Sequence, residues 1–266
     1  MDGGVPRWSV LEVAAQRALL AHLAGSPQAR SAPPGAPVRW VVTGVESTTH
    51  NGVTATRLTG HDADSAIADT LRRLAGHPAI WHVADDDTPT DLPARLVRAG
   101  CQPDRTGVVM GRPVHAATAV PPLPGVPITE ITDAADLAAW QRVAGGVWHD
   151  STGEELTRQA ALYASLPLGP GTAWRHWLAW TDRARPVGMA SGLFTGETVL
   201  IEHVGVLENH RGARIGTALV TTVLATAGGL GIQYAVLGPT PESRPLYERL
   251  GFTLQPVVPD RQFYLP

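Results

Sequence analysis

The chain has 266 residues, a formal net charge of −3 and 44% hydrophobic residues. This length allows one or two domains, and a mildly acidic chain lacks the concentrated basic field that nucleic-acid binding requires. All 21 cationic side chains are arginines. Chemistry that depends on a lysine, such as Schiff-base formation or a lysine-bearing P-loop, is therefore excluded.

The cysteine and histidine content predicts no metal site. Cys101 is the single cysteine, and the ten histidines show no spacing of the His-Glu-x-x-His kind. No segment approaches the ~20 continuous apolar residues of a membrane span, and the first residues do not resemble a signal peptide. We therefore expect a cytoplasmic protein without membrane contact or metal, in which Cys101 is a core residue.

Hydrophobic periodicity divides the first 115 residues into alternating helices and strands. Helices are predicted over residues 8–24, 62–74 and 92–99, and strands over residues 39–45, 53–58, 79–84 and 107–110. An acidic run, Asp85, Asp86 and Asp87, follows the third strand. This run could ligate a cation, but no further ligand lies nearby in the sequence, so a solvated turn is the favoured interpretation.

A segment rich in proline, residues 116–125, predicts a linker between two domains. Beyond it, helices are predicted to begin at residues 132 or 133, at 151 or 152, near 211–216, and at 245. Strands are predicted over residues 126–131, 174–181, 186–194, 198–206 and 234–237, followed by two final strands.

Residues 198–216 carry the main functional signal. A strand rich in Val and Ile, residues 198–206, runs within a few polar residues into Arg-Gly-Ala-Arg-Ile-Gly at 211–216, where a helix is predicted to begin. The first N–H groups of a helix have no intrahelical partner and lie at the positive end of its dipole. A glycine-bearing turn at this position therefore predicts a phosphate-binding site.

This segment resembles the pyrophosphate loop of the GNAT family of acyl-CoA N-acyltransferases, which reads Gln or Arg, two residues, Gly, one residue, then Gly or Ala. Arg211 and Gly216 match, whereas Arg214 replaces the middle glycine. Tyr247-Glu-Arg-Leu-Gly-Phe252 resembles the family's helix ending in Tyr-x-x-x-Gly-Phe. The element order from 126 to 266 also resembles the GNAT fold, an α/β fold with a mixed, largely antiparallel sheet flanked by helices.

The first domain repeats part of this order as strand, helix, strand, helix, strand. Residues 96–101 take the place of residues 247–252, but Leu96 replaces the tyrosine, and residues 59–62 contain no phosphate loop. We interpret residues 1–115 as a degenerate GNAT-like domain, with an unrelated small α/β domain as the alternative. The predicted organisation is thus 1–115, a linker at 116–125, and a catalytic domain at 126–266.

The resemblance implies acetyl-CoA as co-substrate, bound by the central strand and the loop that follows it. In the family, backbone groups of the central strand pair with the pantetheine arm, and the loop holds the phosphates. The implied cofactor-binding residues are Val204, Gly205, Val206, Arg211, Gly212, Ala213, Arg214, Ile215, Gly216 and Thr217.

The resemblance also implies catalytic roles. Tyr247 matches the tyrosine near the coenzyme sulfur and would protonate the departing thiolate, unless it only packs on the sheet. The oxyanion donor would be the Val206 N–H. Glu202 is the candidate base, or else an ion-pair partner of an arginine. Strand alternation would let only one of Glu202 and His203 face the cleft, unless a bulge near Gly205 changes the register.

The acceptor would be bound between the first two helices of the catalytic domain and by residues 255–261. Trp148 and Asp150 could stack on and pair with a cationic amine, or could belong to a packed loop with a helix cap. The resemblance implies direct acetyl transfer to a primary amine of a small molecule or peptide. The alternative, which Arg214 supports, is a catalytically silent acyl-CoA-binding or interaction module. The sequence leaves the oligomeric state open between a monomer and a homodimer.

Overall fold

The computed structural model describes residues 7–115, 120, 123–149, 151–182 and 185–266, with the side chain of Asp182 excepted. The chain forms two compact units. The first comprises residues 1–108 and 255–266, and the second comprises residues 109–254. Most of the predicted linker (116–119, 121 and 122) and Asp150 lie outside the described residues.

The first unit contains helices and strands close to those that periodicity predicts. Its elements are α1 (Trp8–Leu23), β1 (Arg30–Ser31), β2 (Val38–Val42), β3 (Gly52–Thr56), α2 (Ala63–Leu74), β4 (Ile80–His82), α3 (Leu92–Arg98) and β5 (Gln102–Pro103). The helices bury one face: α2, for example, buries Ala63, Ile67, Thr70 and Leu74, which recur every three or four residues. Cys101 is buried in the same core, as expected.

The second unit is built around a long central strand and the helix that follows it. Its elements are β6 (Val108–Pro113), β7 (Ile128–Glu130), α4 (Ala134–Val147), α5 (Gly153–Ala164), β8 (Trp174–Asp182), β9 (Arg185–Thr195), β10 (Thr198–Val206), a 3-10 turn (Glu208–His210), α6 (Ile215–Gly229), β11 (Tyr234–Leu237), α7 (Arg244–Arg249) and β12 (Thr253–Pro256). A last strand, β13 (Gln262–Tyr264), follows β12 in the chain.

Each unit has its own sheet among the described residues. The first sheet has the order β1-β2-β3-β4-β13-β5, and the second has the order β12-β6-β11-β10-β9-β8-β7. In the second sheet β10 and β11 are parallel, whereas the pairs β6–β11, β9–β10, β8–β9 and β7–β8 are antiparallel. This mixed, largely antiparallel arrangement agrees with the predicted fold class.

Local sequence explains how the helices of the second unit begin. The Asp133 carboxylate accepts the Asp136 N–H at the start of α4. Thr152 and Glu155 form a reciprocal capping box at the start of α5. Helix α6 packs closely on β9 because Gly192 has no side chain: a Cβ at this position would lie 2.8 Å from Val223 of α6.

The compact units differ from the predicted boundaries at 115 and 126. Strand β6, predicted as the last strand of the first domain, pairs antiparallel with β11 of the second unit. Conversely, β13 pairs with β4 and β5 in the sheet of the first unit. Residues 255–261 also group with the first unit, although we predicted a role for them in the acceptor site of the catalytic domain. Periodicity identifies a strand, whereas long-range pairing selects its sheet.

Candidate active site

Strands β10 and β11 separate after three residue pairs. They pair in parallel at Thr198↔Tyr234, Val199↔Ala235 and Leu200↔Val236. Beyond these pairs, β10 continues to Val206 along β9. The other edge of residues 201–206 is therefore not paired with β11. Backbone groups at such an edge are available to an extended ligand.

The backbone of Val206 is oriented towards this open edge. The N–H of Leu207 donates to the Val187 carbonyl at 2.9 Å, and Val206 lies opposite Gly188. Since hydrogen-bonded and non-hydrogen-bonded pairs alternate in an antiparallel ladder, the N–H and C=O of Val206 point away from β9. In agreement, the Val206 carbonyl accepts the Arg211 Nε–H at 3.2 Å. The geometry is compatible with the predicted role of the Val206 N–H.

A β-bulge interrupts β10 between Glu202 and Gly205. Glu202 lies opposite Ser191 and Gly205 opposite Met189, so β10 contains one extra residue. His203 adopts a left-handed backbone conformation within the bulge, with φ of 55°. The side chains of residues 202 and 203 therefore do not follow the simple alternation between the two faces of a regular strand. Gly205 is required for packing as well, since a Cβ there would lie 2.9 Å from Val147.

The turn before α6 has the geometry of an anion site. Gly212 has φ of 80°, and Arg214 is the N-cap of α6 with φ of 62° and ψ of 12°. The Arg214 carbonyl accepts the Ala218 N–H, the first hydrogen bond of the helix. Arg214 therefore adopts the left-handed conformation that glycine adopts at lower cost. Its exposed side chain is charged and lies at the positive end of the helix dipole.

The open strand edge and this turn border one cleft of about 930 Å³. Most of the predicted site residues line it: Trp148, Val204, Gly205, Val206, Arg211, Gly212, Arg214, Ile215, Gly216, Thr217 and Tyr247. Ala213 is exposed and Glu202 is half-buried, and neither is a lining residue. The predicted acceptor residue Asp150 lies outside the described residues. His210, Glu242, Ser243 and Arg249 also line the cleft and were not predicted.

Tyr247 is buried at the cleft wall, with 5% of its surface exposed. Its ring packs edge-on against Phe252, with the ring centroids 5.8 Å apart. Burial, and then the charge of Glu202, raise the pKa of Tyr247 to about 12, against a lowering effect of a hydrogen bond with Ser243. The phenol is consequently protonated at neutral pH and has a proton to donate.

Glu202 acts electrostatically on two tyrosines. Burial is the main cause that raises the pKa of Tyr163, and the Glu202 charge raises it further, while a hydrogen bond from Gln159 lowers it. The same charge contributes to the raised pKa of Tyr247. The carboxylate of Glu202 thus lies within electrostatic range of the cleft wall, although it does not line the cleft.

An aromatic cluster packs around His203, and sequence analysis did not identify it. Its members are Trp140, Trp148, Tyr163, Trp174, His176 and His203. The His203 Nε2 lies 3.4 Å from both the Tyr163 hydroxyl and the Gln159 amide nitrogen. These residues come from α4 and the position that follows it, α5, β8 and β10, so only the concentration of aromatic residues in 140–177 could have indicated the cluster from sequence.

In the first unit, the chain itself forms hydrogen bonds across the corresponding strand ends. Strands β3 and β4 pair in parallel at Gly52↔Ile80 and Val53↔Trp81. Beyond these pairs, the N–H of Thr88 donates to the Thr56 carbonyl.

Asp87 completes this closure. Its buried carboxylate accepts the N–H groups of Thr56 at 2.8 Å and Ala84 at 2.9 Å, and pairs with Arg57 and Arg17. Asp85 and Asp86 are exposed in a turn, as expected, whereas the expectation of a solvated side chain is wrong for Asp87.

Within the described residues, no group of three or more His, Cys, Asp or Glu side chains could hold a metal ion. No described helix combines the length and the apolar character that crossing a membrane would require.

Comparison with known families identifies the second unit. Residues 137–252 match the sequence model of the Acetyltransferase (GNAT) family. No curated protein matches the chain.

Three solved structures are similar over most of the chain. A GCN5-related N-acetyltransferase from Kribbella flavida is 18% identical with a TM-score of 0.65, over 97% of this chain and 95% of that one. A tandem GNAT protein from the clavulanic acid biosynthesis pathway is 15% identical with a TM-score of 0.56, over 96% and 93%. A functionally unknown conserved protein from Staphylococcus epidermidis is 14% identical with a TM-score of 0.53, over 88% and 92%. The likeness confirms the fold class, including a GNAT-like domain before the second one.

Proposed function

The second unit contains a GNAT-family acetyltransferase domain, and on this premise we propose that it transfers an acetyl group from acetyl-CoA directly to a primary amine of a small molecule or peptide. The observation that supports this most is the shared cleft: the open edge of β10, the start of α6 and the buried Tyr247 all border it. A coenzyme needs an edge for its extended arm, an anion site for its phosphates and an acid near its sulfur.

The residues at the two parts of the cleft fit this donor. Arg211, Arg214 and His210 provide positively charged or protonatable side chains around the first N–H groups of α6, where the phosphates would bind. Val204, Gly205 and Val206 would pair with the pantetheine arm along the strand edge. The Val206 N–H would stabilise the oxyanion that forms at the thioester carbonyl.

The proposed reaction moves two protons, one by way of Glu202 and one by way of Tyr247. Glu202, directly or through water, would take a proton from the acceptor ammonium and pass it to solvent. The neutral amine then attacks the thioester carbonyl carbon, the C–N bond forms, and the C–S bond breaks. Tyr247, whose pKa is about 12, would protonate the departing thiolate and then recover the proton that the amine nitrogen loses on acylation.

One observation favours the silent alternative. Arg214 occupies the left-handed position at the start of α6, where the family pattern has glycine. If its side chain obstructed the phosphates, the domain would bind the coenzyme weakly or serve as an interaction module. The buried, protonated Tyr247 in the cleft favours the enzyme.

Thiol release from acetyl-CoA across a panel of primary amines tests the proposal. We expect at least one amine to release coenzyme A thiol at a rate well above hydrolysis, with the N-acetylated product detected by mass. Cys101 adds little to a thiol assay, since burial raises its pKa to about 11. Coenzyme binding without thiol release for every amine would support the silent module.

A further inference from the structure

Trp148 forms a fixed aromatic wall at one end of the cleft. It follows the last residue of α4, and its N–H donates to the Ala144 carbonyl at 2.8 Å. Its ring centroid lies 5.3 Å from that of His203 and 5.5 Å from that of Trp140. Trp148 also lines the cleft, beside Val147 and Val204. The indole is therefore held by neighbouring rings and presented to a ligand.

The rings behind Trp148 are buried and closely packed. Trp140, Tyr163 and Trp174 are at most 2% exposed. Their ring centroids lie 5.6, 6.0 and 5.7 Å from that of His203. Aromatic pairs at these distances contribute to packing beyond the area they bury. A ligand ring that contacts Trp148 would meet a preorganised surface, so little side-chain entropy is lost on binding.

The charges of the cleft lie elsewhere. Among the described lining residues, the charged side chains belong to the start of α6 (Arg211 and Arg214) and to the region of α7 (Glu242 and Arg249). Val147, Trp148 and Val204 give the other end an apolar border. On β10, two residues before Val204, Glu202 supplies a carboxylate whose charge contributes to the raised pKa of Tyr247.

We infer from this distribution that the acceptor is a primary amine joined to an aromatic group by a short aliphatic chain. This inference rests on the proposed function and specifies its acceptor. The aromatic group stacks against Trp148, and the amine points towards the Glu202 and Tyr247 side of the cleft. An apolar wall favours an aromatic ring by burial and stacking. Apart from the indole N–H of Trp148, the side chains of Val147, Trp148 and Val204 carry no polar group, so they offer no acceptor to the hydroxyls of a sugar and no carboxylate to the further ammonium groups of a polycation. Trp148 is consequently the residue that determines specificity.

Initial rates with saturating acetyl-CoA test this inference. The probes are 2-phenylethylamine, n-butylamine, spermidine and glucosamine, compared at equal concentrations of unprotonated primary amine. We expect kcat/KM for 2-phenylethylamine to exceed that for each other amine by tenfold or more. Equal or higher kcat/KM for spermidine or glucosamine would overturn the inference.

Variants at Trp148 test whether this aromatic wall causes the preference for 2-phenylethylamine. Trp148→Ala should lower the preference for 2-phenylethylamine over n-butylamine to threefold or less, and Trp148→Phe should restore most of it. Trp180→Ala is the matched control, because Trp180 is half-exposed on β8, bonds Thr129 and does not line the cleft. This control should keep the full preference. If the alanine variant does not fold, Trp148→Leu supplies an apolar, non-aromatic replacement.

The outcomes separate this inference from the proposed function. No thiol release with any amine would overturn both. Release with n-butylamine at a kcat/KM equal to that with 2-phenylethylamine would overturn the acceptor class alone. An unchanged preference in Trp148→Ala would likewise reject Trp148 as its determinant.

Discussion

The two units differ in what occupies the space where two parallel strands of the sheet separate. In each, a central strand and its parallel neighbour pair over two or three residues and then separate. In the second unit the space beyond is a cleft that borders the start of α6. In the first unit the chain fills the space itself, through the carboxylate of Asp87 and the backbone of Thr88.

The comparison teaches that a shared arrangement of strands does not by itself provide a binding site. A backbone donor at a strand end must be satisfied, either by a ligand or by the protein. Asp87 satisfies the Thr56 N–H internally and is neutralised by Arg17 and Arg57. An incoming phosphate would meet this carboxylate. We therefore predict that only the second unit binds coenzyme A.

The largest expected effect is in binding stoichiometry. Calorimetric titration of the full chain should give one coenzyme A site per chain, because only the second unit presents an open edge beside a helix start. Arg211→Ala should weaken binding, whereas Arg57→Ala in the first unit should leave the affinity unchanged. Two equivalent sites per chain would contradict the prediction that only the second unit binds coenzyme A.

Next in size is the effect of removing the carboxylate that closes the first unit. Asp87→Ala should reduce the free energy of unfolding by about 3–5 kcal/mol, because it leaves Arg17, Arg57 and the Thr56 N–H without their buried acceptor. Hydrogen exchange should increase at the amides of β3 and β4. Asp86→Ala is the control: Asp86 has 65% of its side chain exposed, so a loss below about 1 kcal/mol is expected. Equal losses would refute the internal closure.

In the second unit, Tyr247→Phe tests the proposed acid. The variant keeps the ring that packs on Phe252, so coenzyme affinity and Tm should change little. If the phenol protonates the thiolate, the chemical step should slow on the order of 10²-fold or more, about 2.7 kcal/mol of barrier. Equal falls in kcat and in kcat/KM for the acceptor would mark a transition-state interaction. Unchanged turnover, with chemistry shown to be rate-limiting, would assign the proton to water.

The first unit should also lose stability in acid through His82. Burial, and then the Arg17 charge, lower the pKa of His82 to about 3. A depressed pKa in the folded state means that folding favours the neutral form of His82. The contribution of His82 to the free energy of unfolding is therefore complete above pH 6.5 and is lost as the pH falls towards 3. Between pH 7 and pH 5 the loss is roughly 2 kcal/mol. Urea unfolding at both pH values should show a smaller pH dependence in His82→Leu. An identical dependence would exclude His82 as the source.

The smallest expected effect concerns Arg214. Glycine would adopt the φ of 62° more easily, but it would remove a guanidinium from the phosphate end of the cleft. We predict that the charge dominates, so that Arg214→Gly weakens coenzyme binding or leaves it nearly unchanged. A tenfold gain in affinity, about 1.4 kcal/mol, would instead show that Arg214 impairs the site and would favour the silent module.

Sequence by itself determined most helices and strands, the start of α6 and the candidate Tyr247. Periodicity and capping depend on residues a few positions apart, as Thr152 and Glu155 at the start of α5 illustrate. The phosphate turn was predictable for the same reason: its strand, glycine and helix are contiguous. Structure that depends on residues close together in the chain can therefore be predicted from the sequence pattern.

Tertiary structure decided the features that join distant segments. Pairing of β6 with β11, and of β13 with β4, assigned each strand to its sheet, and this moved the boundaries from the predicted positions. The burial of Asp87 depends on Arg17, 70 residues away in the chain. The aromatic cluster around His203 depends on a bulge that alternation cannot predict. In each case the stabilising partners are far apart in sequence, so only their packing determines which groups are paired and which remain open to a ligand.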